Sequence, residues 1–284
     1  MIIPTTGERR LLLNRALHSC QQQFVKPTII IVIDDGIRQS VSIDKAEFSH
    51  LEINLLKTGG GRGGGHARNV GLSHARLNFP KLHIAFLDDD DVWYHEKIST
   101  QLEILHDQNA DVVGSRYTTE KRNIGKGKRA AETVSSGVIY SNCKMSPSTL
   151  LVNGKVSHLL KFDESLKAWQ GRDLFIQMYI HGFSIIRSER ILVYQDQNHG
   201  NSRISDQTTE RYVAMNNVVC KYEPILGRYL TDFLSISIHI SKLKQRRLDS
   251  YKLSHKWSIL FANKHSIRLY FSFVFLLIKK MWKK

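Results

Sequence analysis

Four consecutive aspartates, Asp88, Asp89, Asp90 and Asp91, follow the apolar run Ile84 to Leu87, and the pair Asp34-Asp35 follows the apolar run Thr28 to Ile33. Adjacent carboxylates repel one another, and a fold tolerates the repulsion when a hard cation such as Mg²⁺ or Mn²⁺ neutralises part of it. A cation held in this way bridges phosphate oxygens, so the chemistry in view is the metal-assisted handling of a phosphorylated ligand. A solvated acidic turn is the competing reading. An EF-hand loop is excluded, because Val92 stands at the third alternate position and Trp93 at the required glycine position.

The elements that must position these groups follow from the patterning. Thr28 to Ile33, TIIIVI, is β-branched and apolar on both faces, as in a central parallel strand covered by helices. Parallel strands place their carboxyl ends along one edge of a sheet, where open α/β folds bind ligands, so both acidic groups are expected on one edge. Ile2-Ile3 reads as the end of a first strand. Thr5 to Glu8 has the capping-box pattern, and Leu13, Ala16, Leu17, Cys20 and Phe24 predict a helix from Glu8 to about Gln23. A third strand is expected over Leu51 to Leu56, then a glycine-rich loop, Gly59 to Gly65, and a helix over about His66 to Arg76. The glycines satisfy G-x-G-x-x-G only weakly, since so many glycines satisfy almost any such pattern, and there is no Walker GK[ST]. Arg68 and Asn69 are better candidates, since an arginine at a helix start meets phosphate with charge and backbone donors together.

Downstream, Ile98, Leu102 and Leu105 form a helical stripe and Asp111 to Tyr117 a strand, while Thr119 to Ser136 reads as a polar, basic loop. Gly137 to Tyr140 and Ser148 to Val152 are short strand candidates, Trp169 to Met178 a helix carrying Asp173, and Ser184 to Val193 another strand. Strands and helices alternate without an internal repeat, which gives an α/β fold.

The 284 residues suit one large domain with an appendage, and the net charge of +15 is unevenly placed. From Ser241 to Lys284 there are 12 Lys and Arg against Asp249 alone, whereas residues 1–240 hold 29 basic against 25 acidic residues. Cys20, Cys143 and Cys220 are far apart and without CxxC, so neither a disulfide framework nor a zinc site is indicated, and a reducing cytoplasm is expected. No secretory signal pattern follows Met1, and the longest uncharged apolar stretch, Leu269 to Ile278, is shorter than the ~20 residues of a spanning helix.

In order along the chain, PTTGER, VIDDG, HARNVGLSHAR, FLDDDDVWYHEKI, FDESLKAWQGRDLFIQM and HGNSRIS resemble the motifs of the family 2 glycosyltransferases, over about Met1 to Ser205. The resemblance implies a GT-A (Rossmann-like) fold, with a mostly parallel central sheet flanked by helices. It also implies transfer of a sugar, with inversion, from a nucleotide-sugar to a carbohydrate or lipid-linked acceptor in bacterial surface-polysaccharide assembly. The domain would span 1–222, with a nucleotide-binding half to about 117 and an acceptor half beyond it. Carried over by position, Thr5 and Asp35 would hold the nucleoside, and Arg68 would lie beside the ribose or diphosphate. The four aspartates would form the DxD-type motif, with Asp88 or Asp90 on the ribose and Asp90 and Asp91 on Mn²⁺ or Mg²⁺. Arg203 would close over the diphosphate, with His199 a lesser candidate ligand. The family's acidic pair that ends in the general base matches either Arg172-Asp173, making Asp173 the base, or Gln170-Gly171, which puts a glycine there; Asp173 is favoured because no other carboxylate on this helix competes. An aspartate at a helix N-terminus also simply favours the macrodipole. Gly7 stands where the family often has a base-stacking tyrosine.

The segment 223–284, basic and apolar by turns with Trp257 and Trp282, is expected to be helical. It suits either peripheral attachment to the anionic inner face of the cytoplasmic membrane or packing on the domain. No nucleic-acid module is recognisable. Two alternatives stand beside glycosyl transfer: a sugar nucleotidyltransferase, and a non-catalytic nucleotide-binding protein prompted by Gly171.

Overall fold

The computed structural model describes residues 1–44, 46–134, 145–197 and 210–226. The expected strand at 137–140, His199, Arg203 and the tail beyond 226 lie outside them.

The first strand, β1 (Ile2–Thr5), leads to helix α1 (Arg10–Gln21), then to β2 (Ile30–Asp34), β3 (Ile53–Lys57) and helix α2 (Gly64–Asn78). These three strands form a parallel sheet with β2 in the middle, in register Ile3 to Val32 and Val32 to Leu55. The continuous apolar run on β2 is divided by the two-residue period of a strand. Ile31 and Ile33 enter a core with Ala67, Leu72 and Phe86, whereas Ile30 and Val32 enter a second core with Leu13, Leu17 and Ile98. Each such side chain contributes about 1.5–3 kcal/mol on full burial, so both faces hold this strand in register.

Strands β4 (Ile84–Ala85) and β5 (Asp91–Trp93), helix α3 (Lys97–Asp107), and strands β6 (Val112–Thr118), β7 (Ala131–Thr133) and β8 (Leu151–Val152) come next. Helix α4 (Gln170–Ile180) and the long strand β9 (Ile185–Gln195) complete a second sheet, ordered β4-β8-β6-β9-β5 with β7 also on β9. A parallel bridge between Ile2 and Phe86 joins the two sheets. A helix over 210–226, α5, packs Ala214, Val218 and Tyr222 into the same core as Leu174 and Met178 of α4.

The α/β class and the GT-A-like arrangement hold, but parallel pairing belongs mainly to β1–β3. Among the described residues of the second sheet only β6 and β9 run parallel, and β4, β5, β7 and β8 pair antiparallel. β4 and β5 lie at opposite ends of this order, the segment between them carries Asp88, Asp89 and Asp90, and Asp91 itself begins β5. The basic stretch read as loop contains β7, which the long edge of β9 recruits. The capping box is also absent: α1 is capped at Arg9 without a side-chain bond, because Thr5 belongs to β1 and its hydroxyl is committed elsewhere.

Candidate active site at the acidic cluster

The end of β2 builds a rigid support. Asp34 accepts from the backbone N–H of Gly36 (2.9 Å) and Val41 (3.0 Å). Asp35 accepts from the N–H of Arg62 (3.0 Å) and Gly63 (2.7 Å) and from the Thr58 hydroxyl. Its carboxylate therefore ties the glycine loop to the start of α2, where negative charge also favours the helix dipole. At Gly60 φ is +92° and an added Cβ would lie 2.7 Å from the Gly36 carbonyl, so glycine is required by close backbone approach. The loop read as a weak phosphate cradle is thus anchored, and the carboxylate expected to hold the nucleoside is engaged with it.

The four aspartates have different environments. The Asp88 carboxylate accepts from Arg68 Nη2 at 2.5 Å, and its backbone N–H donates to Ser148 Oγ at 3.1 Å. Asp89, 1% exposed, accepts from the Thr5 hydroxyl at 2.6 Å and pairs with Arg9 at 2.5 Å. Asp90 pairs with the other arm of Arg9 at 2.9 Å, while its carbonyl accepts from Arg15 at 2.8 Å. Asp91, also 1% exposed, accepts from Gln195 at 3.2 Å through one oxygen, and the other is buried without a well-formed hydrogen bond.

Burial raises the Asp89 pKa to about 6 against the opposing pull of Arg9 and Thr5. Asp91 is raised well above the carboxylate range, by burial first and then by repulsion from Asp88 and Asp90. Oxygen atoms of Asp88, Asp90 and Asp91 lie within 4.8 Å of one another. Three hard oxygen donors, one of them without a well-formed hydrogen bond on a carboxylate that burial first and then its neighbours hold above its ordinary pKa, fit Mg²⁺ or Mn²⁺. The expected pair, Asp90 and Asp91, is thus joined by Asp88, while Asp89 faces away toward Thr5. Thr5 meets an aspartate directly.

Arg68 lies in the second turn of α2. It is 8% exposed, bonds Gln170 at 3.2 Å as well as Asp88, and lies 5.3 Å from the centre of the Phe162 ring. Asn69 instead fastens the segment before α4, exchanging two hydrogen bonds with the Phe162 backbone at 2.8 and 2.9 Å. Gln170 reaches Arg68 because Trp169 takes a left-handed φ of +64° at the start of α4, held by Tyr212 and Met215 of α5.

Sequence reasoning missed the residues that orient the cluster. Ser148 receives the Asp88 N–H and its carbonyl accepts from Trp93 Nε1 at 2.9 Å; Gln195 bridges Asp91 and Ser146. Arg9 closes the PTTGER motif without a role read for it, and Arg15 stands among many basic residues.

Asp173 is placed differently from expectation. It is fully buried, accepting from Gln177 (2.6 Å), Lys221 (2.8 Å) and the Tyr222 hydroxyl (2.7 Å). Burial opposes the Lys221 charge, but Asp163 and Asp173 outweigh it and raise its pKa. Burial and the bond to Asp173 push the Tyr222 phenol strongly up. Asp173 thus faces α5 with both oxygens engaged.

Two curated Escherichia coli proteins are similar to the chain. One, the UDP-Glc:alpha-D-GlcNAc-diphosphoundecaprenol beta-1,3-glucosyltransferase WfgD, is 28% identical over 142 residues, 50% of this chain and 54% of WfgD. The other, WfaP, which carries the same activity name, is 26% identical over 138 residues, 48% of this chain and 53% of its own. The chain thus spans about half the length of the curated relatives it matches. The crystal structure of residues 1–349 of S. aureus TarS with UDP-GlcNAc shares the fold at a TM-score of 0.61 and 18% identity, covering 95% of this chain and 77% of that one. The family described as Glycosyl transferase family 2 matches residues 1–163, more than half of the sequence, and the chain belongs to it.

Proposed function

We propose that the protein is a metal-dependent, inverting glycosyltransferase that moves a sugar from a UDP-linked donor to a lipid-linked saccharide acceptor at the inner face of the membrane, in surface-polysaccharide assembly. The observation that carries this reading is the convergence of Asp88, Asp90 and Asp91, with an orphaned oxygen on Asp91, beside Arg68 at the edge of a family 2 fold. The relatives named for UDP-glucose and a diphosphoundecaprenol acceptor support the choice of donor and acceptor.

Asp90 and Asp91, with Asp88, hold the cation. When bound, it supplies Lewis-acid stabilisation of charge on the departing nucleoside diphosphate. Arg68, which shares Asp88 with that site, takes up diphosphate charge, and its planar fork suits two phosphate oxygens. Thr5 orients Asp89 and Asp35 keeps the glycine loop closed against β2, so both shape the nucleoside end from behind. Asp173 acts as a positioning residue that fastens α4 to α5 and so holds Gln170 at Arg68. From the sequence resemblance, Arg203 closes over the diphosphate, and the tail beyond 226 brings the domain to an anionic membrane surface.

The test is a panel of nucleotide-sugars assayed with Mn²⁺ for thermal stabilisation, followed by product analysis with a lipid-linked saccharide. A binding-competent donor raises Tm by mass action only with the metal, and nucleoside diphosphate is then released. Stabilisation that ignores the metal, or release of pyrophosphate, defeats the proposal.

A further inference from the structure

Two of the three carboxylates able to converge on a cation already carry an arginine, Asp88 through Arg68 and Asp90 through Arg9, and the two pairs are built differently. Arg9 divides its guanidinium: Nη2 lies 2.5 Å from Asp89, and Nη1 lies 2.9 Å from Asp90. Asp89 is outside the convergent set, buried and fixed by Thr5, so it tethers one arm. The other arm rests on a carboxylate that a cation would need. The Arg9 side chain is 24% exposed and sits at the cap of α1, which leaves it room to rotate about the tether.

We propose that Arg9 is a resident counter-ion of the cluster. It neutralises Asp90 until a divalent cation displaces its Nη1, and the freed arm, still held through Asp89, then turns to the anionic donor. Metal and donor binding are thereby coupled, each removing a competitor of the other. This rests on the reading that Asp88, Asp90 and Asp91 bind a divalent cation. It assigns a role to the arginine that closes the PTTGER motif.

The experiment is Mn²⁺ binding followed by the loss of free-ion EPR signal at low ionic strength, with and without uridine diphosphate, in the unaltered chain, Arg9→Gln, Arg9→Lys and Arg15→Gln. A guanidinium on a ligand oxygen competes directly, so Arg9→Gln binds Mn²⁺ alone roughly tenfold more tightly than the unaltered chain. Uridine diphosphate strengthens Mn²⁺ binding in the unaltered chain and loses most of that effect in Arg9→Gln. Arg15 donates to the Asp90 carbonyl and to Asp196, so Arg15→Gln removes a nearby charge without clearing a ligand oxygen and changes affinity much less. If Arg9→Gln fails to fold, Arg9→Lys carries the test. An ammonium cannot keep both contacts, and affinity rises roughly threefold.

Unchanged or weaker Mn²⁺ binding in the Arg9 variants overturns the proposal, as does an equal gain in Arg15→Gln, which would reduce Arg9 to bulk charge. If no form of the chain binds Mn²⁺ even with the nucleotide, the cation reading fails and this one with it. Binding that is present but insensitive to Arg9 fails this inference alone.

Discussion

Two acidic groups stand at strand ends on either side of β1 and do opposite work. At Asp34-Asp35 the carboxylates are met by backbone N–H groups of Gly36, Val41, Arg62 and Gly63, which close the loops on either side. At Asp88 to Asp91 the partners are side chains, mainly arginines, and one oxygen of Asp91 is left over. Backbone donors cannot leave without unmaking the loop, whereas guanidinium groups can be exchanged for a cation. The first group therefore spends its charge on structure and the second keeps it available, at the expense of burial and repulsion that raise the pKa of Asp89 and Asp91.

The largest test of that contrast is Asp91→Asn. It removes a cation ligand and relieves a buried, repelled carboxylate, so Mn²⁺-dependent turnover should fall by about 10³-fold or more while Tm holds or rises. A stability loss comparable to that of a core mutant would show that Asp91 is structural like Asp35.

Lys97, at the start of α3, gives a buried cationic counterpart. It is fully buried, donates to Gln101 at 2.6 Å and lies 3.9 Å from the ring centre of Trp93, whose indole N–H supports Ser148. Burial lowers its pKa from 10.5 to about 7, so the unfolded chain holds more protons between those values. Stability contributed by this group is complete above 10.5 and is lost as pH falls toward 7. Lys97→Met should therefore stabilise by about 2 kcal/mol near pH 6, with the gain shrinking as pH rises toward 10. Urea midpoints measured across that range check it, and a pH-independent difference would contradict the buried-cation reading.

Next in size is Asp35→Ala, which strips the glycine loop of its anchor. We expect a loss of about 2 kcal/mol in urea unfolding and faster proteolysis between Thr58 and Gly63, with Mn²⁺ affinity unchanged. A fall in Mn²⁺ affinity would merge the two acidic groups into one site.

What could be read without the structure follows the range of the interactions. TIIIVI declared a doubly buried strand because its pattern is local, and the run of aspartates marked the site by its own density. Thr5 was misread as a helix cap because a local pattern cannot show that Asp89, 84 residues away, claims the hydroxyl. Ser148, Gln195 and Arg15 were invisible for the same reason, reaching the cluster from 60, 104 and 75 residues away. Asp173 was chosen by its place on a helix, and only packing against α5 shows where its oxygens point.

That last residue carries the smallest expected effect and a clean distinction. Tyr222→Phe removes one of three donors to a buried carboxylate and leaves Lys221 and Gln177 in place, so it should cost about 1–2 kcal/mol in urea unfolding. If Asp173 only fastens α4 to α5, turnover in Tyr222→Phe stays near that of the unaltered chain below the melting transition. The pH–rate profile then keeps its shape, and Asp173→Asn loses stability and activity together. If Asp173 were the acceptor base, the pH–rate profile would change shape in Tyr222→Phe, and Asp173→Asn would lose about 10²–10⁴-fold in turnover with its fold intact. The second pattern would require α5 to lift from α4 during turnover, since its Lys221 and Tyr222 close off this carboxylate.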